Sequence, residues 1–451
     1  MSTTSSGQTA LQQIDSRPLT RNQKNIITLV IVANIAEFFD IFLTGFVVAQ
    51  LQRQWELTGT QAGIILACAG LGTVIGATMW GYLADRIGRR RAFFWCVLGF
   101  TVPTALSVAT PEGNWVMLAL LRILVGMGVG GLNITSIPYV QEFVPAKQRG
   151  LLSGLASVFI PAGLFLGSLA QRVVGDNWRM LLATGVIPIF LLLWLRLVPE
   201  SPRYYLTKGR TDDARKSLAW ALEVEPGEVG ELPKVEKAQK APYSLIFTKH
   251  FKSLSIITVG SFCFILGSFT VQSWGQSLLQ SGYDFDGDTV AYMFMVVSGV
   301  DLLGRLLSAW LADRIGRRWT MFSFGIIGAI GCVIVALAAQ HGLGWQVFFL
   351  GILITMGFGD GAFGILNAFG SEQFPNEARS TGLGLGYGIG SSAKVVGPYL
   401  MGWLIGGNAV EQNVTLSAVV PAFFLFAALL VLGAVTYMFA KETKGRSLEE
   451  V

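Results

Sequence analysis

The residues best suited to chemistry in this sequence are charged side chains inside long apolar stretches. A charge at membrane depth costs roughly 2.5–3.5 kcal/mol or more, so each such side chain needs a partner or a function. Side chains of this kind hold protons, bind charged substrates or form internal ion pairs. The chain offers Glu37, Asp40, Arg122, Asp301, Arg305, Asp360 and Lys394.

Glu37 and Asp40 are three residues apart, so they share one face of a helix. Asp40 lies about 14 residues into its apolar stretch, or roughly 21 Å at the rise of a helix, which is past the middle of a membrane core. Two neighbouring carboxylates repel each other, and one of them should therefore hold a proton readily. This spacing favours proton or substrate handling. The alternative is simple hydrogen bonding to Asn34 or to a neighbouring helix.

Arg122 keeps its charge under all ordinary conditions. It could therefore favour the deprotonated form of a nearby carboxylate or hold an anion. The alternative is a static ion pair that orders the helices. We assign Glu37, Asp40 and Arg122 to proton coupling, with Glu142 as a relay toward the cytoplasm.

Asp301 and Arg305 are four residues apart and should contact each other on one helix. They are either a self-contained salt bridge or a pair in which substrate competes for Arg305. Lys394 has no charged residue within one helical turn, which makes it the best candidate for holding an anionic substrate. Asp360 is its possible counter-ion. The alternative is that Lys394 and Asp360 form a salt bridge that takes no part in substrate binding.

Polar and aromatic residues in the apolar stretches are candidates for lining a cavity. Gln272 and Gln276 are four apart, and amides are unusual at this depth. Trp274 and Tyr387 could cover an apolar part of a substrate, although most aromatic residues in such stretches simply pack or face lipid.

The composition explains why these charges are exceptional. Hydrophobic residues make up 52% of the chain and charged residues 14%, whereas a soluble protein has about a quarter charged. The net charge of +5 is spread in short runs between apolar stretches, which is typical of membrane orientation and not of nucleic-acid binding. The four cysteines lack metal-ligand spacing, and we expect no disulfide, metal or cofactor. A Walker motif is absent, which argues against an ATP-driven pump.

A membrane-spanning helix needs about 20 apolar residues, and only helices satisfy the backbone within such stretches. The sequence predicts an all-α membrane protein with twelve spans, numbered here in chain order. They are 26–51, 61–84, 92–110, 115–140, 151–172, 180–198, 253–280, 289–311, 319–339, 344–369, 380–405 and 416–440.

Basic residues concentrate in one set of loops, which predicts that both termini are cytoplasmic. We expect a cytoplasmic tail over 1–25, a six-helix bundle over 26–198, a cytoplasmic linker over 199–252, a second bundle over 253–440 and a tail over 441–451. Short surface helices are expected near 211–223 in the linker.

The two bundles repeat each other. Residues 81–90 recur as residues 309–318, and Glu142, Pro145 and Arg149 recur as Glu372, Pro375 and Arg379. Fixed Asp, Gly and Arg spacing favours a latch that closes the cytoplasmic side over plain orientation by positive charge. The expected gating residues are Asp85, Arg86, Arg89, Arg90, Arg149, Asp313, Arg314, Arg317 and Arg379.

With this doubled D-R-x-G-R-R loop, the chain resembles the major facilitator superfamily, which implies two pseudo-symmetric six-helix bundles. Arg122 with Gly126, Gly128 and Gly130 resembles that superfamily's proton-coupling motif in the fourth helix. The segments 199–203 and 442–450 are similar to those of sugar porters and organic-ion transporters. Glu37-Phe-Phe-Asp40, and Ser273-Trp274 with Leu278-Leu279, resemble the aromatic acid:proton symporters, whose usual form has Asp for Glu37 and often Pro for Gly275, with an Arg near Ser392 and Lys394.

The resulting hypothesis is a transporter, not an enzyme, that carries a small organic anion with protons by alternating access. The preference for an aromatic carboxylate comes from the resemblance. A sugar or polyol porter, an organic-ion or drug antiporter and a transport-dead sensor remain alternatives. We expect a monomer in the bacterial inner membrane, with no nucleic-acid partner.

Overall fold

The structure is a computed structural model of the 451-residue chain. It describes residues 9–145, 159–232, 243–375, 378–406 and 412–444. Within these ranges the chain is almost entirely helical, and the β-structure is an isolated bridge between Thr9 and Glu231.

The first half contains the first six predicted spans. Four are continuous helices: Arg21–Gln54, Gly59–Ile87, Arg89–Val108 and Trp115–Gln141. Span 5 is described as Ile160–Val174, because residues 146–158 lie outside the described ranges. Span 6 is interrupted: Trp178–Thr184 leads into the 3₁₀ turn Ile187–Phe190, which contains Pro188, and then into Leu191–Leu195.

The second half has three continuous helices, Phe251–Tyr283, Gly287–Ile315 and Arg317–His341, and ends with Gln412–Met438. Spans 10 and 11 are interrupted where glycines are dense. Span 10 runs Trp345–Ile354, then a π-helical segment Thr355–Asp360, then Phe363–Ser371. Span 11 is divided into Arg379–Gly390 and Ala393–Ile405.

Ten of these described helices are long and apolar enough to cross a membrane, counting spans 6 and 10 as continuous. The shorter apolar helix Ile160–Val174 and the divided span 11 supply the other two. The predicted all-α, twelve-helix fold is therefore confirmed. The linker forms Pro202–Thr207, Thr211–Leu222 and Tyr243–Thr248, and an amphipathic helix at Ala10–Ser16 packs against the second of them.

Two glycines make tight turns in the repeated loops. Gly88 ends span 2 with φ at 105°, and Gly316 ends span 8 with φ at 98°. This region of backbone space disfavours residues with a Cβ atom. Each glycine lets the next helix begin at once, so the charged loop residues stay close to both helix ends.

The two halves meet along spans 2 and 11, 5 and 8, and 1 and 7. We name the end of the bundle that bears both chain tails the tail-side end, and the opposite one the far end. The contact runs inward from the far end, where a Cβ atom on Gly59 would lie 2.5 Å from the Cβ of Ile405. It reaches the middle of the bundle, where a Cβ atom on Gly70 would lie 2.5 Å from the carbonyl oxygen of Lys394. The far end is also tied by Arg53, which lies 3.2 Å from Asp284.

Close helix contacts depend on glycine, as in many membrane bundles. In span 8, a Cβ atom on Gly304 would lie 1.8 Å from the carbonyl oxygen of Gly357 in span 10. A Cβ atom on Gly299, five residues earlier in the same helix, would meet no atom within 4 Å. The two glycines therefore lie in the same helix, but of the two only Gly304 packs closely against another helix.

We expect Gly304→Ala to lower the thermal stability of the purified protein, because the extra methyl group forces spans 8 and 10 apart at a cost of about 1–3 kcal/mol. Gly299→Ala is the matched control. It should be neutral or slightly stabilising, since alanine favours a helix by roughly 0.5–1 kcal/mol. Equal melting temperatures for the two variants in detergent would contradict the packing described here.

Candidate transport site

Asp40 and Arg122 form a buried ion pair in the first half. Both side chains are 1% exposed, and Arg122 Nη1 lies 3.6 Å from Asp40 Oδ2. The hydroxyl of Thr104 donates to Asp40 Oδ1 at 2.9 Å. Because burial in a poorly polar surrounding leaves few alternative partners, Asp40 and Arg122 depend on each other for their counter-charge. The carboxylate beside Arg122 is therefore that of Asp40.

Hydroxyl groups complete the surroundings of Arg122. Its Nη1 donates to Thr44 at 3.3 Å, and its Nη2 donates to Ser107 at 2.9 Å. Thr44 follows Asp40 by one turn, and its own hydroxyl donates to the Asp40 carbonyl at 3.1 Å. We name Asp40, Thr44, Thr104, Ser107 and Arg122 the first-half cluster. The sequence alone does not single out Thr44, Thr104 and Ser107, because Ser and Thr are common in spans and only packing distinguishes these three.

Glu37 lies one helical turn before Asp40 and is 2% exposed. It is therefore a second buried acid on the same helix, as the spacing predicted.

The second half holds a different buried cluster. Arg305 Nε donates to Asp301 Oδ1 at 2.9 Å, and Arg305 Nη2 bonds to Asp360 Oδ2. The three side chains are between 0% and 7% exposed. The Phe363 ring covers the guanidinium, with 5.8 Å between the Arg305 Cζ atom and the ring centre. We name Asp301, Arg305, Asp360 and Phe363 the second-half cluster.

The predicted contact between Asp301 and Arg305 is present, but the predicted partner of Asp360 is wrong. Asp360 pairs with Arg305 and not with Lys394. The reason is the π-helical segment Thr355–Asp360, which sets the direction of Asp360 and cannot be read from residue spacing. Because both carboxylates already hold Arg305, this arginine is less open to a substrate than the sequence analysis supposed.

Lys394 lies where span 11 is divided, at the middle of the contact between the halves. It is half-buried, and its Nζ atom lies 5.7 Å from the centre of the Phe269 ring. Among the described residues, no carboxylate lies within 4.0 Å of this ammonium group. Lys394 is therefore a cation at mid-bundle with one aromatic face beside it.

A small cavity lies between spans 1, 2 and 7. Its volume is 10 Å³, close to the minimum for one water molecule. Polar groups reach it from both halves: Thr44 of the first-half cluster, and Gln272 and Ser273 of span 7. Phe269 also lines it, so the cavity lies beside both Arg122's partner Thr44 and the ring next to Lys394.

The other predicted lining residues are placed differently. Gln276 is fully buried, and its side chain packs closely against Gly45. Trp274 is fully buried, and its Nε1 donates to the Pro398 carbonyl at 3.1 Å, so it joins spans 7 and 11. Tyr387 is half-buried in the first part of span 11. In this conformation Gln272 lines the cavity, whereas Gln276 and Trp274 are packing residues.

At the tail-side end, the first repeated loop pairs with its own half. Arg89 lies 2.9 Å from Asp85 and 3.8 Å from Glu142, and Ser201 donates to Glu142. Burial raises the pKa of Glu142, and the Ser201 hydrogen bond and the Arg89 charge oppose that effect. Arg86 stacks on the Tyr82 ring at 4.2 Å.

The second loop repeats this arrangement. Arg317 lies 3.5 Å from Asp313 and 3.3 Å from Glu372, and Thr443 donates to Glu372. Arg314 stacks on the Trp310 ring at 4.2 Å. The ion pairs named here lie within one half, so in this conformation they hold each half's own helix ends together. Arg379 begins span 11, and Arg149 lies outside the described residues.

Two further glutamates, Glu200 and Glu442, cap the helices that follow the repeated loops, a role that we did not predict from the sequence. Glu200 accepts from the backbone N–H of Arg90 at 2.8 Å, and Glu442 accepts from those of Arg317 and Arg318 at 3.0 and 3.1 Å. Burial of Glu442 raises its pKa, but the backbone hydrogen bonds outweigh this and hold the pKa below its ordinary value. The sequence does contain a signal for this capping role. An acid followed by a hydroxyl residue comes after the last span of each half, at Glu200-Ser201 and Glu442-Thr443.

The family model described as sugar (and other) transporter matches residues 26–451. The chain belongs to this family. It is therefore a transporter and not an enzyme, and its fold is that of the major facilitator superfamily.

Relatives of this transporter include the "Niacin transporter NiaP" of Acinetobacter baylyi, with 27% identity over 94% of this chain and 96% of that protein. The "Benzoate transport protein" of the same organism is 26% identical over 94% of this chain and 91% of its own length. Among solved structures, the transporter resembles the "D-xylose-proton symporter" with a TM-score of 0.73, at 21% identity over 94% of this chain and 100% of that one. At this identity the structural likeness shows the fold alone.

Proposed function

We propose that this transporter is a symporter that takes up a small aromatic or related carboxylate together with protons. The observation that carries the proposal is the pairing of two features. A buried acid is held by an arginine at Asp40–Arg122, and Lys394, a cation with no carboxylate partner among the described residues, lies at mid-bundle. The Asp40–Arg122 pair suits a proton carrier, and Lys394 suits the binding of an anionic substrate.

Proton binding at Asp40 would break its charge pairing with Arg122. In the structure the Arg122 guanidinium also contacts Thr44 at 3.3 Å, and Thr44 lines the small cavity between spans 1, 2 and 7. A substrate carboxylate beside Thr44 would supply the lost negative charge, because a buried arginine needs a counter-charge. Protonation and anion binding thus favour each other through one arginine. Glu37 and Glu142 would continue the proton path along span 1 and toward the tail-side end.

Lys394 would hold the substrate carboxylate from the second half, with Gln272 at the cavity and Phe269 against the apolar ring. A substrate contacted by both halves can stabilise their closure around it, which alternating access requires. The named relatives for niacin and benzoate support an aromatic carboxylate. We further propose that the tails face the cytoplasm of a bacterial inner membrane, since the loops there carry most basic residues.

We expect uptake of labelled benzoate into proteoliposomes to rise severalfold when an inward proton gradient is imposed, because each carboxylate would enter with at least one proton. The controls are the same vesicle with a proton ionophore and a vesicle without protein, because neutral benzoic acid crosses a bilayer unaided. Equal uptake with and without the gradient would contradict symport. Suppression of benzoate uptake by xylose at similar concentration would instead favour a sugar porter.

We expect Lys394→Met to weaken benzoate binding by about 10–100-fold, since a charge-assisted hydrogen bond contributes about 1.5–3 kcal/mol. Methionine keeps the length and apolar stem of the side chain. Lys394→Arg retains the charge and should bind more tightly than the methionine variant. The measurement is equilibrium binding to purified protein, and an unchanged affinity in the methionine variant would exclude Lys394 as the anchor.

A further inference from the structure

The second-half cluster contains more negative than positive charge. Asp301 and Asp360 carry two carboxyl groups, and Arg305 supplies one positive charge. Asp301 is fully buried and Arg305 is 2% exposed. A net negative charge at such a place is unfavourable unless another cation or a proton neutralises it.

No second cation of the described chain supplies this charge. Among the described residues, the strongest charges acting on Asp301 are those of Arg305 and Asp360, and the strongest charges acting on Arg305 are those of Asp301 and Asp360. Span 9 contributes a neutral thiol, Cys332, whose sulfur lies 3.6 Å from the Thr355 hydroxyl. Lys394 is not within ion-pair distance of Asp360. Within the described residues the cluster therefore lacks one positive charge, which a proton can supply.

The hydrogen bonding also has a position for that proton. Asp301 Oδ1 accepts from Arg305 Nε, whereas Asp301 Oδ2 is buried without a hydrogen-bond donor among the described residues. The two carboxyl groups lie within hydrogen-bonding reach of each other. A protonated carboxyl has one O–H to donate, and a carboxylate beside it accepts that bond. One shared proton would satisfy the orphaned oxygen and balance the charge at the same time.

We propose that Asp301, Arg305 and Asp360 form a second proton-binding site, in which the two carboxyl groups share one proton across the guanidinium. The ligand is a proton: binding converts the carboxylate pair into a carboxyl–carboxylate pair, and release reverses this with no other atom changed. Asp360 is the more accessible of the two acids, at 7% side-chain exposure against 0%. Its place at the end of a π-helical segment is common at functional sites.

This site is independent of the first-half cluster. Asp40 and its partners lie in spans 1, 3 and 4, whereas the three members here lie in spans 8 and 10. Under the proposed symport function, each half would carry a proton site of its own. The binding of the proton itself does not depend on that function.

The test is infrared difference spectroscopy of the purified full-length protein between acid and alkaline pH, without substrate. Protonated carboxyl groups absorb separately from carboxylates. We expect Asp360→Asn to remove one protonated-carboxyl component, because Asp301 and Arg305 then balance as a simple ion pair. Asp40→Asn should remove a different component, and the double variant should lack both.

Asp301→Asn provides a second route if Asp360→Asn does not yield folded protein, and it should remove the same component. A spectrum in which a folded Asp360→Asn or Asp301→Asn variant keeps every pH-sensitive component of the wild type would overturn the proposal. Because no substrate is present, a failure of proton-driven benzoate uptake would leave this result unaffected. The two proposals can therefore fail separately.

Discussion

The buried contact between Asp40 and Arg122 is the interaction on which this account of the transporter depends. Arginine cannot give up its charge, so the carboxylate opposite it must be ionised or replaced by another anion. Under the proposed symport, that requirement would turn a static ion pair into an exchange between proton and substrate. The hydroxyls of Thr44 and Ser107 would support this exchange, since they hydrogen-bond Arg122 independently of Asp40.

The two halves share their helix ends and differ in their interiors. At the tail-side end, Arg89 with Asp85 and Glu142 is repeated by Arg317 with Asp313 and Glu372. Inside the bundle, one half has a single acid against an arginine, and the other has two. The two halves thus repeat the contacts that hold helix ends together, and they differ in the buried clusters that we propose bind protons and substrate.

The sequence predicted the twelve spans because apolar length and loop charge are local properties, and it predicted the contact between Asp301 and Arg305 because four residues make one turn. It could not place Asp360 opposite Arg305, which depends on a π-helical segment and on close packing of Gly304 against span 10. It also placed Trp274 and Gln276 in a cavity, whereas both are buried between helices here. Contacts within one helix were predictable, and contacts between helices required the structure.

The most direct test of the central claim is to compare two transport modes in an Asp40→Asn variant. In proteoliposomes, exchange of labelled benzoate between equal inner and outer concentrations needs no net proton movement, whereas gradient-driven accumulation does. We expect Asp40→Asn to retain exchange and lose accumulation, and Asp40→Asn with Arg122→Gln serves as the charge-balanced folding control. Accumulation by the Asp40→Asn variant at the wild-type level would contradict a coupling role for the Asp40–Arg122 pair.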